Sequence, residues 1–535
     1  MKITLPTSRW ARAVAGIALA VLAWSAAPDD ARAATPAQCQ AISRQDFSQI
    51  LDAPTMIIGS TVVPANASVP SYCRVEGYVT PAVGIEFHLP MDNWNGKFVL
   101  QGCGGMCGNF QGISSCPEAV TRGYACGTTD MGHRGSTQDG KWAYQNPIAE
   151  IDVGHRATHV ATLSGKAITE QFYGSGIKRS YFRGCSTGGR QALVEAERYP
   201  YDFDGIVGGA MVLYIPMGPP LQLFWGAQSN TGPDGKEIMS AAKMNVLYSA
   251  VMNACDAIDG AKDGVLTDPR QCKFDPGTIA CKAGGGDSCL TDAELTVARK
   301  LYEGPRNKKG LFSRVGGQVP GTEKGWAGYT GGKNGGSYGF ANDNLRYLGF
   351  AIDPGPSADV SQFDWDRDPQ RLSYSHMGAG DPDLGLFKEN GGKIIMFHGF
   401  ADPSISAMSS IRYFELMTRT MGGQAAAAQF SRLYLVPGMG HCSGGDGATA
   451  VDMLGAIDAW VEAGKAPDEL TAYAMQSSAG IGPIGAPPGF NGSNMQSLNP
   501  KFSRPLYPYP DTYRYGSGDQ NAAASFKRVK GTMPK

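Results

Sequence analysis

The stretch Arg179-Ser180-Tyr181-Phe182-Arg183, followed by Gly184-Cys185-Ser186-Thr187-Gly188-Gly189, decides the fold. The first five residues read as a short buried strand. The next six fit Gly-x-Ser-x-Gly, and Arg190 to Arg198 beyond them is compatible with a helix. Small residues on either side of a serine let the backbone make a strained turn from strand to helix, which lifts the hydroxyl above the sheet edge. In a chain with 72 glycines the pattern alone is weak and could be an ordinary glycine-rich turn. Its position between a strand and a helix gives it meaning.

Similar strand-and-turn units lie on both sides. Lys97 to Gln101 (KFVLQ) runs into a Gly/Cys loop, and Gly123 to Thr128 (GYACGT) ends near Asp130. Lys393 to Phe397 (KIIMF) leads into HGFAD, and Leu433 to Val436 (LYLV) leads into PGMGHC. Ile151 to Phe172, Arg190 to Arg198 and the alanine-rich Gln424 to Phe430 supply helices between them. Short apolar strands alternating with helices imply an α/β protein with a mostly parallel sheet. From about Met211 to about Leu386 this rhythm fades into Gly/Asn-rich loops such as Gly328 to Gly339. The expected division is a leader at residues 1–33, the first part of the core at 34–210, an inserted lid at 211–386 and the second part of the core at 387–535. No fixed-period repeat is visible.

The 535 residues, 42% hydrophobic and 18% charged, suit an enzyme core with a large insertion. A net charge of −1 and the lack of a Lys/Arg run argue against nucleic acid as a partner. Lys2, Arg9 and Arg12 precede an apolar run from Ala13 to Ala27, and Ala31-Arg32-Ala33 is an A-x-A cleavage signal. The run is shorter than the roughly 20 residues a spanning helix needs, so export with a mature start at Ala34 is expected, and no membrane association afterwards. The expected location is secreted or periplasmic. Twelve cysteines in an exported chain imply disulfides. A zinc site built from Cys103, Cys107, Cys116 and Cys126 matches no common finger spacing.

A serine hydroxyl needs a base to act as a nucleophile. The chain has seven histidines: His88, His133, His155, His159, His376, His398 and His441. In the order serine, acid, histidine, the base follows the last strand, and His441 is placed there. His398 precedes the acid position and is expected to organise its loop. The acid should follow the preceding strand, where Asp402 stands; Asp446 comes too late. Asp402 would hold the imidazole in the required tautomer. Cys185 adjoins the candidate nucleophile and Cys442 the candidate base, so a working arrangement would bring the two within disulfide range. The residue after the nucleophile, Thr187, would donate one backbone N–H to an oxyanion. GCGGMCG lacks the spacing of a dinucleotide fingerprint, so no organic cofactor is expected. Three carboxylates crowd the loop from Cys255 to Val265. It is not an EF-hand, because the twelfth position from Asp256 is Thr267, and by itself it reads as a solvated acidic turn.

With GCSTGG, HGFAD, LVPGMGHCSGG and the ending RPLYPYP…YRYGSGD, the chain resembles the tannase and feruloyl esterase family, which also contains the mono-hydroxyethyl terephthalate hydrolases. The resemblance covers most of the mature chain. It implies an α/β-hydrolase core with a lid inserted after the nucleophile helix, and hydrolysis of esters of aromatic acids. It implies Gly105 as the second oxyanion donor. It also implies a structural Ca2+ held by Asp256, Asp259 and Asp263 with the carbonyls of Ala261 and Val265. The disulfides it implies are Cys39–Cys73, Cys255–Cys272 and Cys281–Cys289; Cys103, Cys107, Cys116 and Cys126 are left without assigned partners. Cysteines expected near Tyr507 and Arg528 are absent.

The expected substrate is a small aromatic ester of feruloyl or galloyl type, free or attached to plant polysaccharide or polyphenol, with a terephthalate monoester as the alternative. A serine peptidase is disfavoured because no propeller domain is apparent. A calcium-dependent binding protein on an inactive hydrolase scaffold is disfavoured by the intact Ser/Asp/His set. Tyr338, Phe340, Tyr347 and Phe350 read equally as pocket lining or core, and Arg346 as a partner for a substrate carboxylate or as a surface residue.

Overall fold

The protein is seen in a computed structural model that describes residues 33–215, 217–282, 285–311, 316–330, 336–372, 377–476 and 490–534. Nearly all of the expected leader, and His376, lie outside these residues.

Nine strands form one sheet: β1 (Thr55–Val63), β2 (Tyr72–Val79), β3 (Val83–Pro90), β4 (Lys97–Gln101), β5 (Ala125–Thr129), β6 (Arg179–Cys185), β7 (Gly205–Gly209), β8 (Lys393–Gly399) and β9 (Ser431–Val436). Their order is β1-β2-β3-β5-β4-β6-β7-β8-β9. The first three strands are antiparallel, and β3 joins β5 antiparallel. From β5 onward all neighbours are parallel. This is the α/β-hydrolase fold. The antiparallel edge was not expected from the sequence, nor was β7. The sequence of β7, Gly-Ile-Val-Gly-Gly, looks like a loop, yet every one of its residues is buried. Its glycines permit tight packing: a Cβ at Gly208 would lie 2.9 Å from the Ala192 Cβ, and one at Gly209 would overlap the Phe397 ring.

The expected helix over Ile151 to Phe172 is interrupted. Residues Asp152–Arg156 form a π turn, and the α-helix proper, α1, covers Ala157–Tyr173. A π turn leaves carbonyls without their usual i+4 partners. Here the fully buried guanidinium of Arg190 donates to the Val153 and Gly154 carbonyls at 2.6 and 2.7 Å. Arg190 lies on α2 (Thr187–Arg198), the helix after the serine turn, so this bond pins α2 to the π turn. The expected helix over Gln424 to Phe430 is helical only at Gln424–Ala427.

Between Gly209 and Lys393 no described residue joins the large sheet. Where the strand rhythm fades, helices stand among loops and turns: α3 (Pro219–Ser229), α4 (Ala241–Cys255), α5 (Asp292–Glu303) and α6 (Gly336–Tyr347). These carry their own apolar cores, one around Leu247, Val297 and Trp326 and another around Phe224, Ala341 and Leu345. All twelve cysteines are paired, including Cys103–Cys107 and Cys116–Cys126. Where the cysteines near Tyr507 and Arg528 are absent, the Arg528 guanidinium sits 5.0 Å over the Tyr507 ring.

Candidate active site

The parallel register aligns the C-terminal ends of three central strands, with Cys185 opposite Gly209 and Gly209 opposite Phe397. Ser186, Asp402 and His441 follow β6, β8 and β9 at this edge, where ligands bind in open α/β sheets.

Ser186 has φ 63° and ψ −121°, outside the regions an L-residue prefers. Its N–H donates to the Gly209 carbonyl at 3.0 Å, and its own carbonyl accepts from the Arg190 amide at 3.0 Å. The turn needs glycine on both flanks. A Cβ at Gly184 would meet the Gly188 backbone at 2.5–2.7 Å, and one at Gly189 would collide with the Gly209 carbonyl.

His441 Nδ1 donates to Asp402 Oδ2 at 2.7 Å. Asp402 Oδ1 accepts from the Ser404 amide at 2.9 Å, the Ser404 hydroxyl at 2.9 Å and the Ile405 amide at 3.0 Å. Burial works against ionisation of this carboxyl. The charge of His441 and hydrogen bonds from His398 and His441 outweigh burial and hold it well below the usual carboxylate range. For His441, burial disfavours the imidazolium, but the Asp402 charge more than compensates and raises its pKa above the ordinary value. His398 is fully buried; its Nε2 lies 3.0 Å from the Ile405 carbonyl and its Nδ1 2.7 Å from the Ser410 hydroxyl. It braces the Asp402 loop. Asp446 has other partners: it pairs with Lys324 at 3.0 Å and accepts from the Tyr248 hydroxyl at 2.9 Å.

The Cys185–Cys442 disulfide joins the serine turn to the histidine loop, with 5.9 Å between the Cα atoms and 257 residues between them in sequence. Cys442 also has a positive φ, 66°. Of these two positive-φ residues, Cys442 is one end of this covalent link and Ser186 adjoins the other.

Gly105 has φ 58°, and a Cβ there would collide with the Thr137 carbonyl. Its neighbours are tied down: Gly104 N–H donates to Gln111 Oε1 at 3.2 Å and Met106 N–H to the Thr137 carbonyl at 2.7 Å. Thr187 opens α2, so its amide has no carbonyl one turn earlier to bond. The Thr187 hydroxyl donates to the Gly105 carbonyl at 2.6 Å, linking the two loops that carry the candidate oxyanion donors. Sequence reasoning missed this side-chain role, because the partners are 82 residues apart.

A cavity of about 390 Å³ opens onto His441. The aromatic residues singled out from sequence within 211–386 divide. Tyr338 and Tyr347 are buried in apolar clusters, while Phe340 and Phe350 are half-buried beside them. Arg346 Nε donates to the Ala358 carbonyl at 3.1 Å.

In the acidic loop, both Asp256 oxygens accept from the Gly264 amide at 3.1 Å, and Asp259 accepts from the Ala261 amide at 2.9 Å and from the Thr267 hydroxyl. Asp263 accepts from the Val265 amide at 3.2 Å and pairs with Arg504. Burial, and further the charge of neighbouring loop carboxylates, raises the pKa of Asp256 and Asp259. The donors are all hard oxygens, as a calcium site needs. Among the described residues no three His, Cys, Asp or Glu side chains converge as a ready-made metal cluster, so backbone carbonyls would have to complete one.

The fold and the strand-edge serine, histidine and carboxylate define an α/β-hydrolase. Comparison with known proteins narrows this. Residues 67–529 match the family model for tannase and feruloyl esterase, and the chain belongs to that family. It is 33% identical to the mono(2-hydroxyethyl) terephthalate hydrolase of Piscinibacter sakaiensis, over 86% of each chain. It is 31% identical to a probable feruloyl esterase of Arthroderma benhamiae, over 84% of this chain and 83% of that one. The crystal structure of feruloyl esterase B from Aspergillus oryzae superposes with a TM-score of 0.78 at 26% identity, covering 92% of this chain and 100% of that one. Membership supports ester hydrolase activity.

Proposed function

We propose that the protein is an exported serine carboxylic-ester hydrolase acting on esters of aromatic acids through an acyl-enzyme. The 2.7 Å Asp402–His441 bond beside a disulfide that ties the histidine loop to the serine turn carries this reading. With Nδ1 committed to Asp402, neutral His441 offers Nε2 as the proton acceptor. Ser186 Oγ attacks the ester carbonyl carbon and its proton passes to Nε2. The carbonyl oxygen takes the negative charge and is met by the amides of Gly105 and Thr187; one such donor contributes about 3 kcal/mol to lowering the barrier. Collapse of this intermediate breaks the bond to the alcohol oxygen, which takes the proton from His441. Water then gives a proton to His441 and attacks the acyl carbon, releasing the acid and restoring Ser186.

A calcium ion would be held by Asp256, Asp259 and Asp263 and the carbonyls of Ala261 and Val265. It would supply positive charge that fixes this loop and takes no part in the reaction. Three carboxylates and two backbone carbonyls carried on one short loop support a cation here, and competition from Arg504 for Asp263 limits it. Residues 211–386 would act as a lid over the strand edge. Export is supported by the leader-like start and six disulfides. Among the described residues no helix is long and apolar enough to cross a membrane.

The test is a hydrolysis screen with methyl gallate, methyl ferulate and mono-hydroxyethyl terephthalate, run on the native protein and on Ser186→Ala. Turnover of at least one ester by the native protein, and of none by the variant, is expected. No turnover of any of the three would refute the aromatic-ester reading.

A further inference from the structure

The loop after β4 carries consecutive amides from Gly102 to Gly108, and all but one have partners. Gly102 N–H donates to the Arg183 carbonyl at 2.8 Å, Cys103 N–H to Gln191 Oε1 at 3.2 Å and Gly104 N–H to Gln111 Oε1 at 3.2 Å. Met106 N–H donates to the Thr137 carbonyl at 2.7 Å, Cys107 N–H to the Gly104 carbonyl at 3.0 Å and Gly108 N–H to the Asp130 carbonyl at 3.2 Å. The Gly105 amide alone donates to no described residue. Gly105 is also the middle residue of a short ring, Cys103 to Cys107, closed by a disulfide with 5.5 Å between the Cα atoms. A covalent ring removes backbone freedom that would otherwise be lost when the loop meets its ligand.

The helix that Ser186 opens grips this ring. Thr187 and Gln191 stand four residues apart, on one face of α2. The Thr187 hydroxyl donates to the Gly105 carbonyl, and Gln191 Oε1 accepts from the Cys103 amide. Gln191 is 2% exposed, and its NH2 lies 3.3 Å from Cys103 Sγ and 2.9 Å from Met131 Sδ. Sulfur is a weak acceptor, so the bond from the Cys103 amide is the strong one. No side chain separates helix and loop here: a Cβ at Gly102 would lie 2.8 Å from the Gly188 Cα. Gln191, the disulfide and the ring backbone form one packed unit around a single free amide. An amide aimed at developing charge lowers the barrier most when it is fixed before the reaction.

We propose that Gln191 and the Cys103–Cys107 disulfide are positioning residues, which lock the Gly105 N–H onto the oxyanion and so act on the transition state rather than on ester binding. The proposal rests on the ester-hydrolase reading above, with Gly105 as an oxyanion donor.

The test uses whichever of the three screened esters the native protein turns over best, and phenylboronic acid as a probe of the oxyanion site. Ser186 Oγ adds to boron, its proton passes to His441, and the boron becomes a tetrahedral anion resembling the intermediate. Gln191→Met keeps the length of the side chain without a strong acceptor for the Cys103 amide, and Cys103→Ala/Cys107→Ala opens the ring. Each should lower kcat about tenfold, less than the roughly 10²–10³ that follows outright loss of a donor, with KM within about twofold. The Ki of phenylboronic acid should rise by a similar factor, because it reports the same oxyanion contacts. Ki does not depend on the fraction of protein folded, so a structural defect alone lowers the apparent kcat and leaves Ki native. A native kcat, or a lowered kcat with a native Ki, would overturn the role of the residues changed. If the native protein turned over none of the three esters and took no fluorophosphonate label, the ester-hydrolase reading would fall and this proposal with it.

Discussion

Asp402→Asn keeps the shape of the side chain and removes its charge. The three donors on Oδ1, from Ser404 N–H, Ser404 O–H and Ile405 N–H, fix an asparagine's carbonyl oxygen in that position. Its NH2 must then face His441 Nδ1, where Oδ2 accepts at 2.7 Å in the native protein. A donor facing Nδ1 makes Nδ1 the acceptor and moves the ring proton to Nε2, which can no longer take a proton from Ser186. In a Ser-His-Asp triad this tautomer reversal costs about 10⁴-fold in kcat, or about 5 kcal/mol of barrier. The expected loss here is about 10³–10⁴-fold. The pH profile adds a second readout. Activity needs neutral His441, whose pKa the Asp402 charge holds above the ordinary value of about 6.5. Native kcat/KM should rise with pH through that raised value, and the residual activity of the variant should rise at lower pH. Stability follows the same linkage. The raised His441 contributes stability that is full below about pH 6.5 and lost as pH rises through its folded pKa. The lowered Asp402 contributes stability present above about pH 3.9 and lost as pH falls through its folded pKa. The assay is kcat/KM for an aromatic methyl ester from about pH 5 to about pH 9. A variant within about threefold of native, with an unmoved acid limb, would refute the role of Asp402.

Replacing Cys185 and Cys442 together by Ala opens the 257-residue link, which the loop-closure model values at about 5 kcal/mol as an upper figure. A displacement of ~1 Å between serine and imidazole costs about a hundredfold, so kcat should fall by that order while removal of Cys281–Cys289 leaves it nearly native; equal effects from the two bridges would contradict the positioning role. Thr187→Val removes the hydroxyl that holds the Gly105 carbonyl and should lower kcat about tenfold with little change in KM; native kcat would show that the two oxyanion loops need no such tie. Exhaustive chelation should lower Tm, because a calcium at a hundred times its Kd adds about 2.7 kcal/mol to stability; a melting curve unchanged both by chelation and by Asp259→Asn would refute the site.

The sequence was legible where local rules suffice. Lys97–Gln101 and Lys393–Gly399 are apolar runs ended by glycine, and their bounds could be read almost to the residue. Ser186, Asp402 and His441 are singled out because chain order after successive strands narrows the choice among seven histidines, and the structure brings Asp402 Oδ2 within 2.7 Å of His441 Nδ1. Strand β2 carries a period-two signal: in Tyr72–Val79 buried Cys73, Val75, Gly77 and Val79 alternate with half-buried residues. Strand β7 carried none, since its glycines matter only once Ala192 and Phe397 are packed against them. The Arg190 bonds to the π turn and the Thr187–Gly105 tie are tertiary facts, between partners 36 to 82 residues apart, and no periodicity encodes them.

The central claim is that Ser186 is the nucleophile, and active-site labelling tests it most directly. The native protein is treated with a fluorophosphonate, its intact mass is read, and the adduct is located by peptide mapping while ester turnover is followed. One adduct per chain on Ser186, loss of turnover in step with labelling, and neither label nor turnover in Ser186→Ala are the expected results. An adduct on another residue, or a Ser186→Ala protein that still hydrolyses the ester at a native rate, would contradict the account.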